Sequence, residues 1–435
     1  MKVQVRIDSL VHGGEGLGRT DGRVVFVPGG APGDLVEAEV PEQPSADRFL
    51  RGKLLRILEA GPARVLPPCP IVDRCGGCPV QHVSQAGQSA AKLDLVGDAL
   101  QRIGGFERAA IELSPLVASP KPFQYRRRAR LHRAQGGQWG FAGHATSQIT
   151  PVAECLLYEP ALQELADRVR AAAVELGGLP EVLDLGLDVS DQGSGSLDLR
   201  TEKSPTPALR KRATALLAAV RDLRGLTMGT AAAPEVIGDP VIADAPGPDR
   251  GGARFRTRAD LFAQANRSAT PLLVQAALEG LGEAAQGRVL ELYCGSGTFT
   301  LPLLARAGSV VAAEGSAASL SLLRKSALEV GLDQSAALQL IAGDATKIAS
   351  GLAASGSEKF DGVLLDPPRT GAASVLRAIT SFGARRIVYV SCDAPTFSRD
   401  AKALSQAGYR LEKVVPFDLF PQTAHLELVA TFGRL

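Results

Sequence analysis

The chain has 435 residues, enough for two or three domains. Hydrophobic residues make up 45% and charged residues 22%, the balance of a folded globular protein rather than a disordered or fibrous one. The net charge of +2 is too mild to name an acidic partner, so any nucleic-acid surface must come from local clustering.

The opening MKVQVRIDSL alternates apolar and polar residues and contains no apolar run of signal-peptide length. No stretch of about 18 apolar residues occurs anywhere, so a cytosolic protein without membrane association is expected. Six cysteines are too few for a disulfide scaffold in a chain this long, and a reducing compartment favours metal or catalytic roles for them.

Residues 1 to about 60 read as short strands. KVQVRI and RVVFV alternate, DLVEAEV does so loosely, and GKLLRIL closes the set. Asp21-Gly22 between alternating runs is a hairpin signal. Several short strands with glycine turns predict a small OB-like barrel. Residues 61 to 265 are mixed α/β. They carry the cluster CPIVDRCGGCP, a helical run SAAKLDLVGDALQRIGGF and the basic stretch FQYRRRARLHR, then helices near ALQELADRVRAAAVEL and PALRKRATALLAAVRDL. From about 266 to 435 helices and strands alternate, which predicts a doubly wound, Rossmann-like α/β sheet. The fold class is therefore α/β, with ligands expected at the C-terminal ends of the last domain's strands.

The loop LELYCGSGTF sits where the first of these strands meets its helix, with Gly295 and Gly297 allowing a close backbone approach to a ligand. Glu314 ends the second strand, where a carboxylate can accept both ribose hydroxyls, and Asp344 ends the third, near a place for an adenine amino group. Position 300 is Thr, so the third glycine of a dinucleotide fingerprint is missing. An E-x-x-x-G-x-G loop with two such acids fits S-adenosylmethionine better than a pyrophosphate cofactor.

Asp366-Pro367-Pro368 follows the fourth strand, a pattern that resembles loops holding a planar base beside a methyl donor. Cys392 follows the fifth. Methylating an exocyclic amine needs no covalent partner, but the C5 carbon of a pyrimidine is not nucleophilic enough alone. A thiolate adding to C6 makes C5 an enolate-like carbon that attacks the sulfonium methyl. A base must then remove the C5 proton. Glu427, a charged residue opening the apolar run LELVATF, is the candidate base.

LYCGSGTFTLPLL, LDPPRTG, SCDAPTFSRD and HLE, in this order, resemble the RNA 5-methyluridine methyltransferases. The run YRRRARL and the cluster CPIVDRCGGCPVQH are similar to the branch that modifies 23S ribosomal RNA and carries an N-terminal TRAM domain. The resemblance spans nearly the whole chain. It implies a class I methyltransferase domain, with Cys392 as nucleophile and Glu427 as proton acceptor. It also implies that Gln264, Tyr293, Glu314 and Asp366 contact S-adenosylmethionine or the target base, with Asp344 a softer match. Thr298 stands where the family commonly has Asn, and Asp393-Ala394 where it has Asn-Pro, so those contacts differ here.

An RNA substrate, ribosomal RNA first and transfer RNA as the alternative, would meet Arg126, Arg128 and Arg130, which share one face if their segment is a strand, while Arg127 points inward. The enzyme is expected to act as a monomer. Cys69, Cys75 and Cys78 lack a fourth ligand nearby, and Cys155 is the one thiol left once Cys294 goes to the cofactor loop and Cys392 to catalysis. Four thiolates suit zinc or a [4Fe–4S] cluster. The family resemblance favours the cluster.

Two rivals compete. An RNA-binding module without methyl transfer would not need Cys392, Glu427 and the glycine loop together. An RNA cytosine-5 methyltransferase would carry a second cysteine after its Asp-x-Pro motif, where this chain has Arg369 and Thr370.

Overall fold

The computed structural model describes residues 1–41, 49–144, 146–245, 247–332, 337–356 and 358–435. Its first unit is a sheet in the order Phe49–Arg51, Arg23–Val27, Gly16–Thr20, Lys2–Leu10, Leu35–Glu39, Lys53–Glu59. The two outer members are consecutive pieces of one stretch, parted only at Gly52, so the sheet closes on itself. A Cβ at Gly52 would lie 3.1 Å from the Ala38 methyl, which is why the closing bend carries glycine. The expected hairpin turn is present: Asp21 and Gly22 both have positive φ, 47° and 75°, and Thr20 pairs with Arg23. Val5, Ile7, Val25, Val27, Val36 and Ala38 fill the interior.

The second unit is a sheet ordered Ile149–Pro151, Trp139–Ala142, Arg128–Arg133, Val182–Val189, Gly195–Thr201, Leu223–Gly229, Pro234–Gly238. Helices Pro160–Glu175 and Pro207–Ala219 begin with proline, which fixes φ where no amide donor is needed. They bury Leu162, Leu165, Leu209 and Leu216 against Leu185, Leu197 and Leu199 of the sheet.

The third unit is a sheet ordered Leu338–Ala342, Ser309–Glu314, Arg288–Leu292, Gly362–Leu365, Arg386–Ser391, Glu427–Arg434, Tyr409–Asp418. The first five strands are parallel, and Glu427–Arg434 runs antiparallel to both neighbours. Separate apolar layers cover its two faces, as a sheet buried on both sides requires. The strand order reverses between Arg288–Leu292 and Gly362–Leu365, which marks where such sheets bind ligands.

One boundary differs from expectation. Residues 85–118 lie within the span assigned to the middle domain, 61–265, yet they pack on the last sheet. Glu112–Leu113 and Val117–Ala118 pair in parallel with Tyr409–Asp418. Val96, Ala99 and Leu100 share a core with Phe397 and Leu404. Two-residue strands have no period to recognise, and their partner lies far along the chain.

This docked segment holds the loop that leads to Glu427. Lys92 Nζ lies 2.6 Å from Asp418 Oδ1, with both side chains almost fully buried. Gln88 accepts from the Gln422 backbone N–H at 2.9 Å and donates to its side-chain oxygen at 3.0 Å. Tyr125 donates to the Pro421 carbonyl and Asn266 to the Leu419 carbonyl. Among the described residues no helix is long and apolar enough to cross a membrane.

Removing one partner of a buried ion pair leaves the other charge uncompensated. Asp418→Asn is expected to cost about 3–5 kcal/mol of stability in denaturant titration. The double change Asp418→Leu with Lys92→Met should restore most of that loss, and a single variant as stable as the parent would contradict it.

Candidate active site and cysteine cavity

After strand Arg288–Leu292 the chain turns through Tyr293 (φ 65°), Gly295 (φ 55°) and Gly297 (φ 98°) into the short helix Thr300–Leu304. A Cβ at Gly295 would meet nothing within 4 Å, so this glycine borders open space. Tyr293 is a bulky residue at positive φ, a conformation held by its surroundings, and it sits beside Asp344. Glu314 accepts from the backbone N–H groups of Gly295 at 3.0 Å and Ser316 at 2.8 Å, which fixes its carboxylate at the end of the second strand. Asp344 caps helix Ala345–Ala354 by accepting from Lys347 N with Oδ1. Gln264 and Thr298 line a small cavity of about 60 Å³ with Phe255 and Arg267. Beneath the loop, Glu291 is fully buried, and burial pushes its carboxyl up to about 8. The Thr300 hydroxyl beside it opposes that rise.

Cys392 and Glu427 meet through strand register. Ser391 pairs with Leu428 at the end of the antiparallel ladder, and continuing that register by one step sets Cys392 near Glu427, whose charge acts on its thiol. Asp393 then starts helix Ala394–Gln406, accepting from Thr396 N at 3.0 Å, while its own N–H donates to Ser391 Oγ. Burial pushes the Cys392 thiol up to about 11; the Glu427 carboxylate adds to this and the Arg369 guanidinium opposes it. Glu427 is only 6% exposed, and burial holds its carboxyl well above the usual carboxylate range, with Asp366 reinforcing and Arg369 opposing. Burial alone lifts Asp366 to about 7. Each acid is costly to ionise here because water has been removed without a paired cation.

Two residues at this edge escaped the sequence reasoning. Arg369 follows the Asp-Pro-Pro motif and acts electrostatically on both Cys392 and Glu427. His425 lies 3.2 Å from the Arg369 Nη2 atom, and burial with the nearby Arg369 and Arg126 cations pushes its imidazole down to about 4, so it is neutral. The spacing HLE placed His425 near Glu427 in sequence, but nothing local announces an arginine arriving from position 369.

Cys69, Cys75, Cys78 and Cys155 line one cavity of about 350 Å³, together with Arg126, Phe141, Thr423 and His425. Burial, with the neighbouring thiols of the set adding to it, pushes Cys78 up to about 12 and Cys155 to about 11. Among the described residues no group of three or more His, Cys, Asp or Glu side chains converges tightly enough to hold a metal ion. All four thiols border the same cavity. A larger cavity of about 790 Å³ is walled in part by helix Thr270–Leu281 and contains none of the candidate side chains; Lys413 pairs with Glu112 and Arg386 with Glu412 in its lining.

The expected row of RNA-facing arginines needs correction. The strand starts at Arg128, and Arg126 lies outside it. Arg127 is buried between Asp188 at 3.0 Å and Asp244 at 2.6 Å, pointing inward as expected. Arg128 is also turned inward, donating to the carbonyls of Ala259, Leu261 and Ala263. Arg130 pairs with Asp198 at 3.1 Å. Arg126 sits over the Phe420 ring at 5.5 Å and borders the cysteine cavity. Alternation gives the direction of a side chain but not what covers that side, and here fixed acceptors cover it.

The chain matches the family model described as tRNA (Uracil-5-)-methyltransferase over residues 249–433 and the TRAM domain over residues 2–55. It is 35% identical to the 23S rRNA (uracil(1939)-C(5))-methyltransferase RlmD of Salmonella choleraesuis, covering 100% of this chain and 96% of that protein. It is 34% identical to the protein of the same name from Pseudomonas aeruginosa, covering 99% and 94%. Among solved structures it is similar to the Pyrococcus abyssi tRNA (uracil-54, C5)-methyltransferase in complex with S-adenosyl-L-homocysteine, with a TM-score of 0.74, 23% identity and 99% of each chain covered. This last likeness establishes the fold, a class I methyltransferase domain behind smaller units.

In the free protein, alkylation of Cys392 by iodoacetamide is expected to keep rising with pH towards a midpoint near 11. Glu427→Gln removes a negative neighbour and should lower that midpoint. Mass spectrometry of the Cys392 peptide across pH measures both, and an unmoved or raised midpoint would refute the assigned coupling.

Proposed function

The chain belongs to the RNA uracil-C5 methyltransferase family, and on that premise we propose that it methylates C5 of a uridine in 23S ribosomal RNA through a covalent bond to Cys392. The observation that carries this is the register that sets Cys392 against Glu427 beside the glycine loop. Cys392 Sγ bonds to C6, and the displaced π electrons make C5 nucleophilic. C5 takes the methyl group as the sulfonium S–C bond breaks, which leaves S-adenosylhomocysteine. Glu427 accepts the C5 proton, the C5–C6 double bond re-forms, and the thiolate leaves. The raised pKa of Glu427 suits it to that role, because its ionised form is a stronger base than an exposed carboxylate. The thiol of Cys392 is costly to ionise alone. Arg369 and the positive sulfonium in the neighbouring pocket both favour the thiolate once substrates are seated.

In this scheme Glu314 accepts the ribose hydroxyls with a carboxylate already fixed by Gly295 and Ser316. Asp344 approaches the adenine, while Gln264, Tyr293 and Thr298 border the methionine part. Asp366 contacts the target base, and its pKa of about 7 lets it act as donor or acceptor. Cys69, Cys75, Cys78 and Cys155 hold a [4Fe–4S] cluster; when bound, it supplies covalent anchors between the segment after the barrel and the middle sheet. Zinc is the less favoured occupant, on the family resemblance rather than on the ligand set, which suits either. The barrel and the exposed edge at Arg369 hold the RNA, whose target uridine must be splayed out to reach Cys392. The setting is the cytoplasm, where thiols stay reduced. The reading of ribosomal over transfer RNA rests on the substrate in the names of the full-length relatives.

Cys392→Ala should abolish methyl transfer from labelled donor while RNA binding persists, and retained turnover would overturn the covalent route. Glu427→Gln should accumulate a protein–RNA adduct on denaturing gels. Mapping 5-methyluridine in ribosomal and transfer RNA with and without the gene identifies the substrate. For the cysteine set, anaerobically purified protein is expected to be brown with iron and sulfide bound, and Cys155→Ser to lose the colour; colourless protein with stoichiometric zinc would reject the cluster.

A further inference from the structure

Thr298 of the glycine loop and Gln264 share the wall of a cavity of about 60 Å³ with three guanidinium groups, those of Arg127, Arg250 and Arg267. Most of their donors are spent inside the protein. Arg127 gives Nε to Asp188 at 3.0 Å and Nη1 to Asp244 at 2.6 Å. Arg267 gives Nη1 to the same Asp244 and Nη2 to the Val189 carbonyl at 2.8 Å. Arg250 gives Nη2 to the Ala245 carbonyl at 3.0 Å. Arg127 Nη2 and Arg250 Nε are left over: both are shut off from solvent, and neither has an acceptor among the described residues. The Arg127 side chain is only 3% exposed. A buried donor without an acceptor is costly, so a group that supplies one is expected there. Helix Thr270–Leu281 begins at the same wall with Thr270 and Pro271, and its N-terminus adds partial positive charge. Asp244, also in the wall, is already paired with two of the arginines. Two spare guanidinium donors beside a helix N-terminus suit an anion with two oxygens.

We propose that this cavity receives the amino-acid end of S-adenosylmethionine, with its carboxylate taken by Arg127 of the middle domain together with Arg250. Guanidinium groups make strong, charge-assisted hydrogen bonds to carboxylates. The exposed Asp249 in the same wall suits the ammonium group. The Arg127 backbone N–H donates to the Ala265 carbonyl at 2.9 Å, which ties it to the segment that carries Gln264. The methyl donor is then gripped from two units of the protein, not by the methyltransferase sheet alone. The inference rests on the reading that the glycine loop holds S-adenosylmethionine.

The test measures binding to the free, full-length protein by isothermal titration, without RNA and without turnover. The probes are S-adenosylhomocysteine and its decarboxylated analogue, in which hydrogen replaces the carboxylate. The parent should bind S-adenosylhomocysteine at least about tenfold more tightly than the analogue, the worth of a hydrogen bond between charged groups. Arg127→Lys keeps a cation for Asp188 and Asp244 but loses the second prong. It should weaken S-adenosylhomocysteine by about tenfold and leave the analogue within about twofold of the parent. Arg250→Met, at a half-buried position, should show the same selectivity at about threefold. A role confined to holding the fold would weaken both ligands by one factor. Should Arg127→Lys fail to fold, Arg250→Met and the parent decide the matter. The proposal is overturned if the parent binds both ligands alike, as it will where ordered water alone satisfies the two donors, or if either variant weakens both ligands equally. Failure of the underlying reading shows differently, as a parent that binds neither ligand.

Discussion

Ser391 pairs with Leu428, and everything proposed for the reaction follows from continuing that ladder by one step. In an antiparallel pair, residues directly opposite lie close enough for their side chains to share one small volume. A slip of one residue would turn Glu427 to the other face of the sheet. The apolar run behind it prevents this, because Leu428, Val429, Ala430 and Phe432 are buried on alternating faces against two different cores. Packing of the whole strand thus fixes the position of one carboxylate.

The loop preceding Glu427 has no regular structure of its own, so its precision is borrowed. Lys92 and Gln88 from one helix, Tyr125 from the basic segment and Asn266 from the entry to the last domain each take a polar group of residues 418–422. The far side of the same loop, at Thr423 and His425, forms part of the wall of the cysteine cavity. The cysteine set and the reacting pair are therefore distinct sites on either side of one segment.

Much of this was visible in the sequence where a residue type is costly out of place. Glycines at 295 and 297 announce unusual φ values, Glu427 announces itself by opening an apolar strand, and Cys155 was found by elimination of the other thiols. Long-range partnerships were not visible. Arg128 was placed on an RNA-facing side because alternation says nothing of the carbonyls at 259–263 that receive it. Residues 112–118 were missed as strands because they are too short to show a period, and Arg369 and His425 because their meeting depends on a turn in space.

The clamp on residues 418–422 joins groups separated by most of the chain. Gln88 and Lys92 leave the ribosome long before Asp418 and Gln422, and closing so long a loop is entropically slow. The approach to the carboxylate that faces the thiol at 392 is thus held in part by residues from the first third of the chain.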